Sequence, residues 1–279
     1  MANIAHLLVA SDLTERAIHP LQRAMQLKAE SDCQVTLLHV VEHGLTAHIR
    51  ERRAAEALEE LTRWKEALPA LSQIALNVKV SLGDPFAAVL EAIHAELPDL
   101  SIVGQPGKPN LKEFFTGTTA ERVMRFSERP VLMVNQYASG PYKRVLVAVD
   151  FSESARQALE CACRIAPQAE IRVVHVWRPP VWGRASDRRE ADEANQRLRT
   201  QEEQQLRTFI EHGTAGRRFP LEIVDGEPEA AVREALGRVN ADLLALGTHA
   251  RGRTPTALIG SLARELLVTA PCDVLVARA

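Results

Sequence analysis

An internal duplication spaced by 143 residues constrains the fold of this chain more than any other feature of its sequence. Gly104 and Gly117 of the first half recur as Gly247 and Gly260, each displaced by 143 residues. A Gly-Asp-Pro turn at residues 83–85 recurs as Gly-Glu-Pro at the same displacement. A repeat of this length holds a whole set of strands and helices, so the sequence predicts one architecture used twice.

The repeated segment at residues 102–118 has the pattern of a strand, a loop and a helix. A short apolar run ends at Gly104, glycine and proline surround Gly107, and an apolar-periodic segment starts after Gly117, near Thr118. Glycine lets the backbone approach a ligand closely, and the free amides of a helix N-terminus attract an anion. The segment therefore predicts a phosphate-binding loop.

Strands and helices alternate through each half, which predicts a parallel sheet covered by helices on both faces. In the first half, strands are predicted at residues 5–10, 35–41, 74–80, 100–103 and 131–134, with helices ending near 28 and at 49–68, 86–96 and 118–126. A short connector at residues 136–142 predicts two domains, 1–138 and 143–279. Ligands of such sheets bind beyond the carboxyl ends of the strands, where Asp12, Val40, Gly83 and Gly104 fall.

Composition narrows the class of protein. The 279 residues are 46% hydrophobic and 25% charged, which suits two globular domains with real cores. A net charge of −2 gives no reason to expect nucleic acid or an anionic membrane as partner. The first residues lack the pattern of a signal peptide, and no apolar run reaches about 18 residues, so we expect a cytoplasmic protein.

Cysteines and strand histidines are interpreted as structural. Four cysteines are too few for a disulfide framework, and Cys161 and Cys163 stand two apart in a helical pattern, about 200° apart around its axis. We expect buried thiols here, not a metal or redox pair. His39 and His175 lie inside apolar strands and are expected to be core histidines bonded to backbone.

The loop glycines carry a resemblance to a known family. The pattern of glycine, two residues, glycine, nine residues, glycine and Ser/Thr, met by Gly104, Gly107, Gly117 and Thr118, is similar to the nucleotide-binding motif of the ATP-binding branch of the universal stress protein family. Matching elements flank it in both halves, including Leu-Val-Ala-Ser-Asp and Leu-Val-Ala-Val-Asp after the first strands. The resemblance covers essentially the whole chain as two tandem domains.

The resemblance implies an α/β fold of two tandem doubly wound domains, each a five-stranded parallel sheet flanked by helices. It implies a site for ATP or a related adenine nucleotide, alone or with Mg²⁺, without the Walker motif, which the sequence lacks. It places ribose and phosphates at the glycines and at Thr118, ribose also near Asp12, and adenine at the Val40 main chain. The equivalent residues of the second domain are Asp150, Val176, Gly247, Gly260 and Ser261.

The second domain departs from the motif at Ala250, which stands where the first has Gly107. A methyl group there narrows the loop or disfavours positive φ, so nucleotide is predicted to prefer the first domain. Two other interpretations stay open. The pockets are vestigial in a structural or interaction protein, with Asp12 and Asp150 serving only as helix caps. Alternatively the chain slowly cleaves nucleotide, although no catalytic arrangement such as G-x-S-x-G is present and we do not predict an enzyme.

The last strand of each half, near residues 131–134 and 274–276, is an exposed edge unless it is paired. In the family that the chain resembles, this edge commonly forms the dimer contact. We therefore predict that the two halves pair through these strands as an internal pseudo-dimer. A further homodimer stays open.

Overall fold

The computed structural model describes residues 4–14, 17–31, 33–42, 47–67, 76–105, 118–178, 188–214, 216–248 and 261–279. Among them are ten strands: β1 His6–Ser11, β2 Gln34–Glu42, β3 Leu76–Gly83, β4 Leu100–Gly104, β5 Val131–Val134, β6 Arg144–Ala148, β7 Glu170–Trp177, β8 Leu221–Asp225, β9 Leu243–Gly247 and β10 Asp273–Ala277. The helices are α1 Ile18–Glu30, α2 Ala47–Ala67, α3 Pro85–Glu96, α4 Thr119–Phe126, α5 Glu153–Ile165, α6 Arg188–Gly213, α7 Pro228–Val239 and α8 Ser261–Thr269. None of the described helices is long and apolar enough to cross a membrane.

The ten strands form one sheet in the order β3-β2-β1-β4-β5-β10-β9-β6-β7-β8. Neighbours within each half are parallel. β5 and β10 pair antiparallel, with Leu132 opposite Leu275. The predicted fold of two five-stranded parallel sheets is thus confirmed, as is the predicted pairing of the last strands, which joins both sheets into one.

Side chains of the central strands alternate between two cores, one on each face of the sheet. On β1, Leu7 and Val9 enter the core that also holds residues of α1, α2, α5 and α6. Leu8 enters the other core, with residues of α3, α4, α7 and α8. Because parallel strands are buried on both faces, they have the continuous apolar runs seen in the sequence.

Polar caps set several helix starts. Asp84 caps α3 by accepting a hydrogen bond from the Ala87 amide at 3.0 Å, and Pro85 occupies the first turn, where its missing N–H costs nothing. Ser152 caps α5 through the Ala155 amide at 3.1 Å.

The third strand, β3, extends to Gly83, past the predicted end at residue 80, because it stays paired with β2 as far as Glu42.

A buried polar cluster lies where the two halves meet. The Asp273 carboxylate, 1% exposed, accepts hydrogen bonds from the Tyr142 hydroxyl at 2.7 Å and the Asn135 amide at 2.8 Å. Arg23 of α1 approaches the same carboxylate at 3.3 Å, lies 3.9 Å from the centroid of the Tyr142 ring, and donates to the Gly140 carbonyl at 2.9 Å. Burial raises the pKa of Asp273, and its hydrogen bonds and Arg23 oppose that shift. This cluster ties α1 and the connector to β10.

All four cysteines are buried, which confirms the burial predicted for Cys161 and Cys163. Burial raises the pKa of the Cys161 thiol to about 11 and that of Cys272 to about 12. The thiolate is the reactive form of cysteine, and a raised pKa disfavours it, so these thiols are expected to be unreactive in the folded protein.

Candidate functional site

The described residues of each half form a cavity at the carboxyl ends of the strands, beside the central strand, β1 or β6. In the first half, β2 lies on one side of β1 and β4 on the other, so the loops after these strands diverge above β1. The first cavity has a volume of about 380 Å³ and the second about 920 Å³. Both volumes are in the range of small-molecule sites.

The first cavity brings together four of the predicted site residues: Asp12, Val40, Gly104 and Thr118 line its wall. Asp12 is held by a tight turn in which its Oδ1 accepts the Thr14 amide at 3.0 Å and the Thr14 hydroxyl at 2.8 Å. Leu13, between them, has a φ of 59°. These two hydrogen bonds hold the Asp12 carboxylate in place beside the cavity.

The interpretation of Asp12 and Asp150 as helix caps is wrong. The N-cap of α1 is Ala17, which makes no side-chain capping bond. In the second half Ser152 caps α5, and Asp150 instead accepts the Ser152 amide at 3.1 Å and its hydroxyl at 2.6 Å. Because Leu13 and Phe151 both adopt positive φ, the side chain of each aspartate accepts hydrogen bonds from the residue two positions later.

Thr118 begins α4 with a capping box. Its hydroxyl accepts the Glu121 amide at 3.3 Å, and the Glu121 carboxylate accepts the Thr118 amide at 2.8 Å. The amide that the resemblance assigns to phosphate is therefore already used. A hydroxyl that accepts through its oxygen can still donate its proton, so the side chain is the donor that Thr118 offers to a ligand.

The strand histidines line the cavities but are bonded to backbone, as predicted. Nδ1 of His39 lies 2.9 Å from the Ser11 carbonyl, and Nδ1 of His175 lies 2.7 Å from the Val149 carbonyl. Nε2 of His175 also lies 3.2 Å from a carboxylate oxygen of Glu202 on α6. Both nitrogens of His175 are therefore engaged, which suits a core role.

The second cavity brings together Asp150, Val176 and Gly247 of the predicted residues. Its rim differs from that of the first. Glu227, at the position of the capping residue Asp84, makes no capping bond and instead pairs with Arg178 at 3.4 Å. Both side chains are largely exposed, so this pair adds little stability.

The two strand-end glycines have a packing reason that needs no ligand. A Cβ on Gly247 would lie 2.7 Å from the Ala155 nitrogen and 2.8 Å from the Ser154 carbonyl carbon, which are backbone atoms of α5. A Cβ on Gly104 would lie 3.2 Å from Pro20 Cγ and 3.8 Å from Pro20 Cδ. Glycine at these positions lets α1 and α5 pack against the strand ends.

Several predicted residues are not placed. Gly107, Gly117 and Gly260 lie outside the described residues, as does Ala250, so the comparison of Gly107 with Ala250 stays a prediction. Ser261 is the first residue of α8, and its side chain is likewise outside the description. Across the described residues, no group of three or more His, Cys, Asp or Glu is placed to hold a metal ion.

Sequence analysis missed the charged side chains of the second cavity, which include Arg178, Glu229, Arg233 and Glu265. Glu229 and Arg233 are four residues apart on α7 and ion-paired, and Arg233 also donates to the Thr269 hydroxyl at 3.1 Å. A hydrogen bond between Glu229 and Glu265 raises the pKa of Glu265 and lowers that of Glu229. Aligning the two halves at their displacement of 143 residues would have exposed these positions as departures from the first half.

Comparison with known proteins gives two matches to the model of the universal stress protein family, at residues 3–135 and 141–278. A universal stress protein of Methanocaldococcus jannaschii is 27% identical over 151 residues, covering 45% of this chain and 90% of that protein. A putative universal stress protein of Staphylococcus epidermidis is 31% identical over 144 residues, covering 49% of this chain and 84% of that protein. The crystal structure of a universal stress protein from Archaeoglobus fulgidus aligns with a TM-score of 0.70 and 22% identity, over 98% of this chain and 96% of that one.

Proposed function

The chain belongs to the universal stress protein family, and we propose that it is a tandem member that binds ATP or a related adenine nucleotide and responds to it. The observation that carries the proposal is the cavity above β1 that gathers Asp12, Val40, Gly104 and Thr118. A crevice between diverging loops at the carboxyl ends of parallel strands is where doubly wound sheets bind nucleotides.

The residues of the first cavity suit the parts of a nucleotide. The oriented carboxylate of Asp12 can accept hydrogen bonds from ribose hydroxyls, and the Thr118 hydroxyl can donate to a phosphate oxygen. The N-terminus of α4 adds a favourable dipole for an anion. Val40, at the carboxyl end of β2, offers main-chain groups to the base.

The protein can change its conformation in response to nucleotide if the nucleotide binds two of its conformations with different affinity. A ligand held by the ends of β1 and β2 and by α4 contacts segments that are distant along the chain. Occupancy would then bias how the loops beside the cavity are presented to a partner. This role requires no turnover, and we propose a binding protein in the cytoplasm, not an enzyme.

One observation favours the second candidate function, an interaction protein with vestigial pockets. Gly247 is required by its contact with α5, so its presence does not by itself report a ligand. Adenine nucleotide retained through purification would favour binding over this alternative.

Calorimetric titration of the full chain with ATP and AMP, with and without Mg²⁺, tests the proposal. We expect saturable binding, tighter in the first domain. Gly107→Ala should weaken that site about fivefold, since a Cβ opposes positive φ at about 1 kcal/mol. Ala250→Gly is the matched variant and should leave the second site equal or stronger. Absence of saturable heat with either nucleotide would refute the proposal.

A further inference from the structure

At four positions beside the cavities, the equivalent residues of the two halves differ in polarity and charge. In the first half they form an apolar corner between α3 and α4, made of Phe86, Leu90, Arg122 and Phe126. The rings of Phe86 and Phe126 are 5.6 Å apart, and the Arg122 guanidinium lies 3.8 Å from the centroid of the Phe86 ring. Arg125 also lies 5.1 Å from the centroid of the Phe126 ring, so two guanidinium groups contact this aromatic pair.

In the second half the same positions form a polar corner between α7 and α8, made of Glu229, Arg233, Glu265 and Thr269. Interaction with Glu229 raises the pKa of Glu265, and Arg233 is engaged by Glu229 and Thr269. Glu229, Arg233 and Glu265 line the second cavity, whereas none of the four apolar-corner residues is among the described residues that line the first. The larger second volume, about 920 Å³ against 380 Å³, thus includes this polar corner.

The charges that face the second cavity disfavour a long phosphate chain. Its described lining holds five carboxyl groups, against two in the first cavity, Asp12 and Glu42; the five are those of Asp150, Glu227, Glu229, Glu234 and Glu265. It holds two guanidinium groups, and both are ion-paired, Arg178 with Glu227 and Arg233 with Glu229. Like charges that approach in a partly enclosed cavity repel, and the repulsion grows with each added phosphate.

We propose that the second pocket takes an adenine ligand with at most one phosphate, a nucleoside or nucleoside monophosphate, while the first takes the triphosphate. This inference rests on the proposed function. It makes the two halves sensors of different phosphorylation states of one nucleoside. Glu229 and Glu265, which line the second pocket, are the residues that set its preference.

Calorimetric titration of the full chain with adenosine, AMP and ATP at constant ionic strength tests the assignment. Glu265→Gln should strengthen ATP binding at the second site about fivefold and leave adenosine binding unchanged, because only the charged ligand meets the removed charge. The matched variant Arg122→Gln removes the charge at the equivalent position of the first half, which is not among the described residues that line the first cavity, and should change ATP binding there less than twofold. The effect of Glu265→Gln should shrink in about 0.5 M salt, where exposed charges are screened.

Equal shifts for adenosine and ATP in Glu265→Gln would overturn the inference, because they would indicate a change of shape. Tighter binding of ATP than AMP at the unaltered second site would also overturn it while leaving the proposed function intact. Failure of the unaltered protein to bind any of the three ligands would instead refute the proposed function, and the inference with it.

Discussion

The two halves place their strands, helices and cavities alike, yet several side chains beside the cavities and at the junction differ. Asp84 closes a helix cap in the first half, while Glu227 leaves that cap and pairs with Arg178 in the second. A cation over an aromatic ring in the first half is replaced by a pair of carboxyl groups in the second. The two halves share their backbone arrangement but differ in these side chains. Substitutions at equivalent positions can therefore distinguish residues that stabilise the fold from residues that bind a ligand.

The largest expected effect concerns the junction, where the halves are not equivalent because Asp273 corresponds to Pro130. Asp273→Ala should lower the free energy of unfolding by about 3–5 kcal/mol, since it leaves the buried Tyr142 hydroxyl without its acceptor and the buried Arg23 without its counter-ion. Urea denaturation measures the loss. Asp273→Asn should cost less, because the amide oxygen still accepts.

Asp242→Ala is the control for the junction variant. Asp242 accepts the amides of Lys143 and Arg144 at 2.9 and 3.0 Å, at a less buried site, and its loss should cost about 1 kcal/mol. Equal losses in both variants would mean that the buried cluster adds nothing special to the contact between the halves.

A smaller effect separates the two strand-end glycines. Gly247→Ala should destabilise the protein by about 1–3 kcal/mol, because its Cβ would meet backbone of α5 at 2.7 Å. Gly104→Ala should cost less than about 1 kcal/mol, because the nearest atom is a Pro20 ring carbon at 3.2 Å. Thermal unfolding of both variants tests the contrast, and a reversed order would refute the packing explanation.

Much of the fold can be predicted from the sequence because the same pattern of strands, loops and helices occurs in both halves. The motifs that recur in both halves identify the strands, and the apolar last strands predict the junction between β5 and β10. The location of the cavities follows from strand ends such as Val40 and Gly104, because parallel strands end at one edge.

Other features depend on contacts that no local pattern reveals. Arg23, Tyr142 and Asp273 meet only once the halves have paired, and Glu229 meets Glu265 only across two helices. The alternative interpretation of Asp12 as a helix cap was wrong, because the backbone at Leu13 has positive φ and the Asp12 carboxylate accepts from Thr14. Local propensity favoured a cap there, and the conformation of the loop overrode it.

The smallest effect concerns the cap that one half has and the other lacks. Asp84→Ala should cost about 1 kcal/mol, because the Ala87 amide loses its acceptor at the start of α3. Glu227→Ala should stay within about 0.5 kcal/mol, because that carboxylate makes only an exposed ion pair. Chemical denaturation of the two variants side by side distinguishes them, and a larger loss for Glu227→Ala would show that its pair with Arg178 matters to the fold.

The most direct test of the account is a crystal structure of the full chain grown with ATP and AMP together. We expect the triphosphate in the first cavity, with adenine at Val40 and ribose beside Asp12, and the monophosphate in the second. Triphosphate found only in the second cavity, or both cavities empty at saturating nucleotide, would contradict it.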